Sequence, residues 1–312
     1  MTAQVKQDPV LFVLPGRKDE AWKYADRRAL EAVQGLEPHI QDRVARALKG
    51  RDEVQLSSID GQACHVEESL SLEGNEALII HRLEGDGWLN VKFDVSLDGG
   101  KLTHIILQDR GAEAVTTVQT QVTLNNDARY EAHVFQIGSL YSRIGFDVAL
   151  LGEGADFTLN DAQLGKDKQN LETVTRTTHA VKSTTCNQNV RNVLKGSATA
   201  SFSGKIKVER GADKTDAEQH ARSLILDRTA TANTKPELEI YADDVKCAHG
   251  ATVGELDKNA LFYLMARGVA PKEAHALLIE AFVADVLSEM PDEATRDAVM
   301  TRAQNWMAGG QS

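Results

Sequence analysis

The feature that most limits what this chain can fold into is a long run of period-two alternation. Leu89, Val91, Phe93, Val95 and Leu97 alternate with Asn90, Lys92, Asp94 and Ser96, the pattern of a strand with one buried face. Val118, Thr120, Val122 and Leu124 repeat it, as do Ile144, Phe146, Val148 and Leu150. Shorter runs follow at Phe157 with Leu159, at Phe202 through Ile206 and Val208, at Leu224 with Leu226, and at Leu238 with Ile240. Turn signals separate them, among them Asp98-Gly99-Gly100, Asn125-Asn126-Asp127 and Gly211-Ala212-Asp213. A long series of short strands with almost no helix between them leaves a sandwich, a barrel or a β-solenoid. Aromatic residues make up 5% of the chain, few for a wide sandwich core. A solenoid rung stacks on its neighbour and needs mainly small and branched residues inside, so the solenoid is preferred although no clean repeat period is visible.

Helical periodicity flanks this region. Residues 26–34 carry Leu30 and Val33 on one face, and a second N-terminal helix is expected from Pro38 through Ile40, Val44 and Leu48, stopped by Gly50. After Leu256, Asp257 is a good N-cap for a helix bearing Leu261, Leu264 and Met265. Gly268 ends it. Pro271 opens the next helix, with Ala274, Leu277, Leu278, Ala281, Phe282 and Val286 on its apolar face. Pro291 precedes a last helix with Val299 and Trp306. The chain thus divides into a helical N-terminal region (1–60), a mainly β core (61–254) and a C-terminal helical region (255–312). The terminal helices either dock a partner or cap the open end of the solenoid.

Charge and motifs exclude several functions. A net charge of −11 argues against nucleic acid and against anionic membranes as partners. No apolar run is long enough to span a bilayer, and the first residues lack the order of a secretory signal, which predicts a cytoplasmic protein. Cys64, Cys186 and Cys247 are too few and too scattered for a disulfide framework, and no CxxC occurs. No phosphate-binding glycine loop is present, so nucleotide chemistry would belong to a partner. Lys205, Lys207 and Arg210 form a small basic cluster that reads as a solvated strand face.

Reactive side chains are densest in residues 235–254. Cys247 and His249 share one face of an extended strand, and Glu237, Glu239, Asp243 and Asp244 precede them. Thiolate, imidazole and carboxylate suit iron or zinc. Leu238 and Ile240 set the even positions inward, a phase that would turn Cys247 and His249 outward unless a turn near Asp243 and Asp244 resets it. The plain alternative is a buried structural Cys beside a hydrogen-bonded His. A thiol dyad of Cys247 with a remote histidine such as His179, or a β-solenoid enzyme using paired carboxylates on a small or polymeric substrate, are further readings.

The segments 202–208, 214–217, 223–226 and 235–254, continued by Leu261-Phe262-Tyr263-Leu264 and Arg267-Gly268, resemble the SufB/SufD family of iron–sulfur cluster assembly scaffolds. Near the N-terminus, residues 17–24 resemble the segment with which these scaffolds often begin. The form Lys246-Cys247-Ala248-His249-Gly250-Ala251-Thr252 is similar to the D-type subunit. The resemblance implies a right-handed parallel β-helix between short helical regions and a scaffold rather than an enzyme. It implies pairing with a B-type scaffold, and an ABC-type ATPase docked on the C-terminal helices through Leu261, Leu264, Leu277, Leu278 and Phe282. His249, with Cys247 beside it, would share a metal site with the partner subunit. No cofactor would be held tightly by this chain alone, and an iron–sulfur cluster would sit transiently at the partner interface. An unpaired terminal strand also allows a homodimer in isolation.

Overall fold

The computed structural model describes residues 20–34, 36–40, 44–58 and 61–308. Every sheet pairing among them is parallel, and from β2 onward consecutive strands alternate between two sheets. One sheet holds β1 (Glu37–Ile40), β2 (Val44–Ala47), β4 (Gln62–Glu73), β6 (Trp88–Asp98), β8 (Val115–Leu124), β10 (Tyr141–Leu150), β12 (Asn170–His179), β14 (Thr199–Val208) and β16 (Thr231–Ile240). The other holds β3 (Gly50–Ser58), β5 (Glu76–Gly85), β7 (Lys101–Arg110), β9 (Arg129–Gly138), β11 (Asp156–Gly165), β13 (Thr185–Leu194), β15 (Asp216–Ile225) and β17 (Lys246–Gly254). From β2 to β15 each strand pairs with the strand two ahead of it, and β1 also lies on β4, so each turn contributes one strand to either wall. This is a parallel β-helix, the solenoid preferred from the strand pattern and the form that the family resemblance implied.

The rung length is uneven, which hides the repeat in the sequence. Ala63 to Trp88 is a step of 25 residues, and Thr199 to Thr231 is a step of 32. The strands keep nearly constant length while the corners absorb the difference. Some corners demand glycine. Gly85 and Gly138 both have positive φ, and a Cβ there would lie 2.2 Å from the Ser58 carbonyl oxygen and 2.0 Å from that of Arg110.

Between the walls lies the main core, where side chains stack in rows along the β-helix axis. Leu102, Tyr130, Phe157, Cys186, Ala217 and Cys247 are successive Cα partners. A neighbouring row runs His104, Ala132, Leu159, Gln188, Gln219 and His249. Phe93, Phe146, Tyr130 and Phe157 are fully buried, with Tyr130 and Phe157 stacked at 5.9 Å. These four rings fill the interior of the middle rungs, while Trp88, Phe135, Tyr141, Phe282 and Trp306 pack between the outer walls and the helices.

The interior also holds polar groups, which must be paired. Glu68, His81, His104 and Tyr130 form a hydrogen-bonded chain with steps of 2.9, 2.8 and 2.8 Å. Burial drives His104 well below the usual imidazole range. Burial raises the Glu68 carboxyl, but the hydrogen bond and charge of His81 and the charge of Arg46 outweigh it and leave the group lowered.

Helices cover parts of both outer walls. Asp26 accepts from the Arg28 and Ala29 amides and starts α1 (Arg27–Val33), whose Leu30 and Val33 pack with Trp88, Val115 and Tyr141. The helix expected over 38–48 is absent; Pro38 and Ile40 lie in β1 and the segment from Val44 in β2, each pairing with β4. Spacing in that stretch is compatible with either structure, and the neighbouring β4 edge decides the outcome. After α2 (Lys258–Ala266), α3 (Pro271–Leu287) and α4 (Glu293–Met307) lie on the outer face of the second sheet. Ile279, Val283, Val286, Leu287, Val299 and Trp306 meet Ile105, Phe135, Leu164 and Val193 there. Arg302 grips Asp109 through two hydrogen bonds of 2.6 and 2.9 Å. These two helices clad the side wall, and no described strand continues either sheet beyond the last rung.

Asp161 offers a test of the interior. It is fully buried, and burial raises its carboxyl to about 6 despite bonds from Thr173, Gln163 and Gln136. Its folded pKa exceeds its unfolded value, so its contribution is most favourable below the ordinary carboxylate range and is lost as pH rises through about 6. The change amounts to about 3 kcal/mol. Denaturant unfolding of wild type and Asp161→Asn at pH 4 and pH 7 should show the stability difference moving by that order in favour of the variant at pH 7. A pH-independent difference would show that ionisation of Asp161 does not matter.

Candidate functional site

The site is built by the change of phase between β16 and β17. Leu238 and Ile240 align with the buried Ile206 and Val208, so even positions of β16 face the interior. Residues 241–245 then form a bend, after which odd positions of β17 take the inward row. Cys247 aligns with the buried Ala217 and packs against the main core, and His249 aligns with the buried Gln219. Between them and beyond, Gly250 lies beside His220, whose ring would be 3.4 Å from a Cβ at that position. The outward orientation that simple continuation of the β16 phase would give is thus corrected by the turn.

Because β17 and β16 end their sheets, no further rung among the described residues covers this inward row. Cys247 is half-buried and His249 exposed. The open end therefore presents a thiol and an imidazole from the interior rows of the β-helix. The preceding carboxylates do not join them. Glu237 pairs with Lys235, Glu239 with Lys205, and Asp244 with Lys214. Among the described residues no three His, Cys, Asp or Glu side chains converge as a metal site, so Cys247 and His249 bring two donors at most. His179 is buried and bonded to Thr184 at 2.8 Å, and burial lowers it to about 4.

Apolar surface continues beside the open end. α2 is capped by Asp257, whose side chain accepts from the Asn259 and Ala260 amides, and it has no buried residue. Leu261 and Leu264 are half-buried, while Phe262 is 71% and Tyr263 58% exposed. On α3 the expected face is split. Leu277 is exposed, Leu278 and Phe282 are half-buried, and the wall-facing side is Ile279, Val283, Val286 and Leu287. Leu278 and Phe282 line a cleft of about 290 Å³ with Val253 and Leu256, and Arg191 lies over the Phe282 ring at 5.8 Å. Sequence reading placed Phe262 and Tyr263 within a motif but did not mark them as surface; their lack of helical spacing with Leu261 and Leu264 was the available signal. The wall clefts elsewhere contain few carboxylates: the largest near α4, about 540 Å³, has Glu84 and Asp109, the latter held by Arg302.

The three thiols differ in environment. Burial raises all three; Cys186 reaches about 12, and the nearby Asp216 charge adds to the effect at Cys247. Under native conditions near pH 8, an alkylating reagent should modify Cys247 first, and more slowly than a free thiol, because the thiolate is the nucleophile. Cys64 and Cys186 should react only on unfolding, as mass spectrometry of peptides would show. Equal labelling of all three would contradict the packed interior.

The family described as "SUF system FeS cluster assembly, SufBD core domain" matches residues 72–282, the β-helix from β4 into α3. The chain is 30% identical over 252 residues to the "Iron-sulfur cluster assembly protein SufD" of Escherichia coli, covering 79% of this chain and 60% of that protein. It is 31% identical over 244 residues to "Protein ABCI7, chloroplastic" of Arabidopsis thaliana, covering 76% and 50% respectively. It is 35% identical over 152 residues to the SufD protein of Bacillus subtilis, covering 49% and 35%. The chain thus spans roughly a third to three-fifths of the length of these relatives. With the parallel β-helix, these matches assign the chain to the SufBD core-domain family of the SUF iron–sulfur cluster assembly system.

Proposed function

We propose that the chain is a D-type scaffold that contributes half of a cluster-assembly site at its open rung. The observation that carries this reading is the placement of Cys247 and His249 on interior rows that end uncovered. One thiol and one imidazole leave an iron ion short of ligands, and a second scaffold chain would supply the remainder. The terminal strands β16 and β17 offer unpaired backbone edges and the exposed side chains Ile240, Tyr241 and Val253 for that partner. Iron and sulfide are cargo in this reading, and the chain works by presenting ligands rather than by turnover.

An ABC-type ATPase docked near α2 and α3 fits the exposed apolar residues there. Leu277 is a cleaner probe than Phe282, which also packs toward the wall. Leu277→Glu should weaken ATPase capture about 10-fold or more with an unchanged melting temperature, whereas Phe282→Glu should also destabilise the fold. Equal capture by Leu277→Glu would remove this face from the docking surface.

The site itself is tested in the co-purified complex of this chain, the B-type scaffold and the ATPase. His249→Ala should leave the complex intact and lower cluster formation, read by visible absorbance and iron content. Normal cluster yield in that variant, or failure of the three chains to associate under mild lysis, would overturn the reading.

A further inference from the structure

Gln219 sits one rung inside His249, and its surroundings fix how its amide faces. Its Nε2 donates to Gln188 Oε1 at 3.1 Å. That oxygen also accepts from Thr175 Oγ1 at 2.7 Å, and Gln188 Nε2 donates to Thr177 Oγ1 at 3.1 Å. Gln188 is thereby committed at both ends of its amide, and it holds the nitrogen of Gln219 inward. The carbonyl Oε1 of Gln219 is left buried with no hydrogen-bond partner. An orphaned acceptor in a closed interior is costly and points to an absent donor. Space for this arrangement comes from Gly204, where a Cβ would lie 2.2 Å from Gln219 Nε2 and 2.7 Å from the Phe202 ring.

The next position along the same row is His249, the Cα partner of Gln219. Adjacent parallel strands lie about 4.8 Å apart, within reach of a side-chain hydrogen bond. His249 is exposed and free of the packing that would hold its ring elsewhere. We propose that Gln219 is the positioning residue of His249. Its Oε1 accepts the hydrogen of one ring nitrogen, fixes the neutral tautomer, and turns the lone pair of the other nitrogen toward the open end. A histidine that ligates metal normally donates its second ring hydrogen to an oxygen acceptor in this way. Gln219 then serves the metal without touching it. This inference rests on the site reading for His249 and adds the residue that aims it.

The test separates the two. In the full chain with 15N-labelled histidine, the His249 resonance, assigned with His249→Ala, should show one neutral tautomer with its protonated nitrogen hydrogen-bonded. In Gln219→Leu, which keeps the volume and removes the acceptor, the two tautomers should mix. Iron loading of the assembled complex should fall about 10-fold or more in Gln219→Leu, with association of the three chains unchanged. A tautomer mixture already present in wild type, or one unaltered in Gln219→Leu, overturns the positioning role even if His249→Ala abolishes cluster formation. Conversely, a normal cluster yield in His249→Ala removes the site reading, while the wild-type spectrum still decides the Gln219 contact. Because the wild-type measurement needs no variant of Gln219, a folding defect in Gln219→Leu leaves the proposal open to refutation.

Discussion

In-register stacking of parallel strands is the constraint on which everything else in this molecule depends. Each residue sits directly over one residue of the preceding turn, so a side chain's neighbours are set by row as well as by strand. The aromatic stack of Tyr130 and Phe157 and the amide contacts of Gln188 and Gln219 are two outcomes of this rule. Like groups stacked along a row share solvation and hydrogen-bond partners. A polar residue inside the solenoid is therefore tolerable where its row neighbours are polar too. Asp161 breaks the rule, lying between Val134 and Val190, and its raised carboxyl is the physical consequence.

Much of this was legible in the sequence, and what was missed has specific causes. β6, β8 and β10 alternate apolar and polar residues, so their faces could be read directly. β12 and β13 could not be read in the same way. Thr175 and Thr177 face inward beside Gln188, and Thr173 beside Asp161 and Gln163, and polar interior residues erase the contrast on which periodicity depends. Uneven corners, from 25-residue to 32-residue steps, hid the repeat. The helix expected over 38–48 failed for another reason. Apolar spacing there suits a helix or a short strand, and the open edge of β4 supplied the tertiary partner that favoured the strand.

The candidate site shows a similar division. Cys247 and His249 were found by spacing and composition, but their orientation was not, because one bend of five residues changes the parity of all that follows. Gln219 carried no local signal. Its significance comes from being one full turn away from His249, a separation that has meaning only once the register is known. On α3, spacing identified an apolar helix and placed Ala274 and Val286 on the buried side, but it put the exposed Leu277 on the same face and left out Ile279 and Val283, since a helix that is apolar over most of its circumference does not declare which stripe meets the wall.

The interior rows change character from the middle turns to the final one. Tyr130 and Phe157 give way to Cys186, Ala217 and Cys247 in one row, and Ala132 and Leu159 to Gln188, Gln219 and His249 in the next. In a one-dimensional stack, each turn draws its stability from the turns on either side. The terminal turn has one neighbour among the described strands, and on the β17 side that neighbour offers Ala217 and Gln219 rather than rings. On its β17 side that turn is the less covered, with Cys247 half-buried and His249 exposed. Any chain that continued the stack would act as its missing neighbour, and the order of the Cys247–His249 turn would then report occupancy of that position.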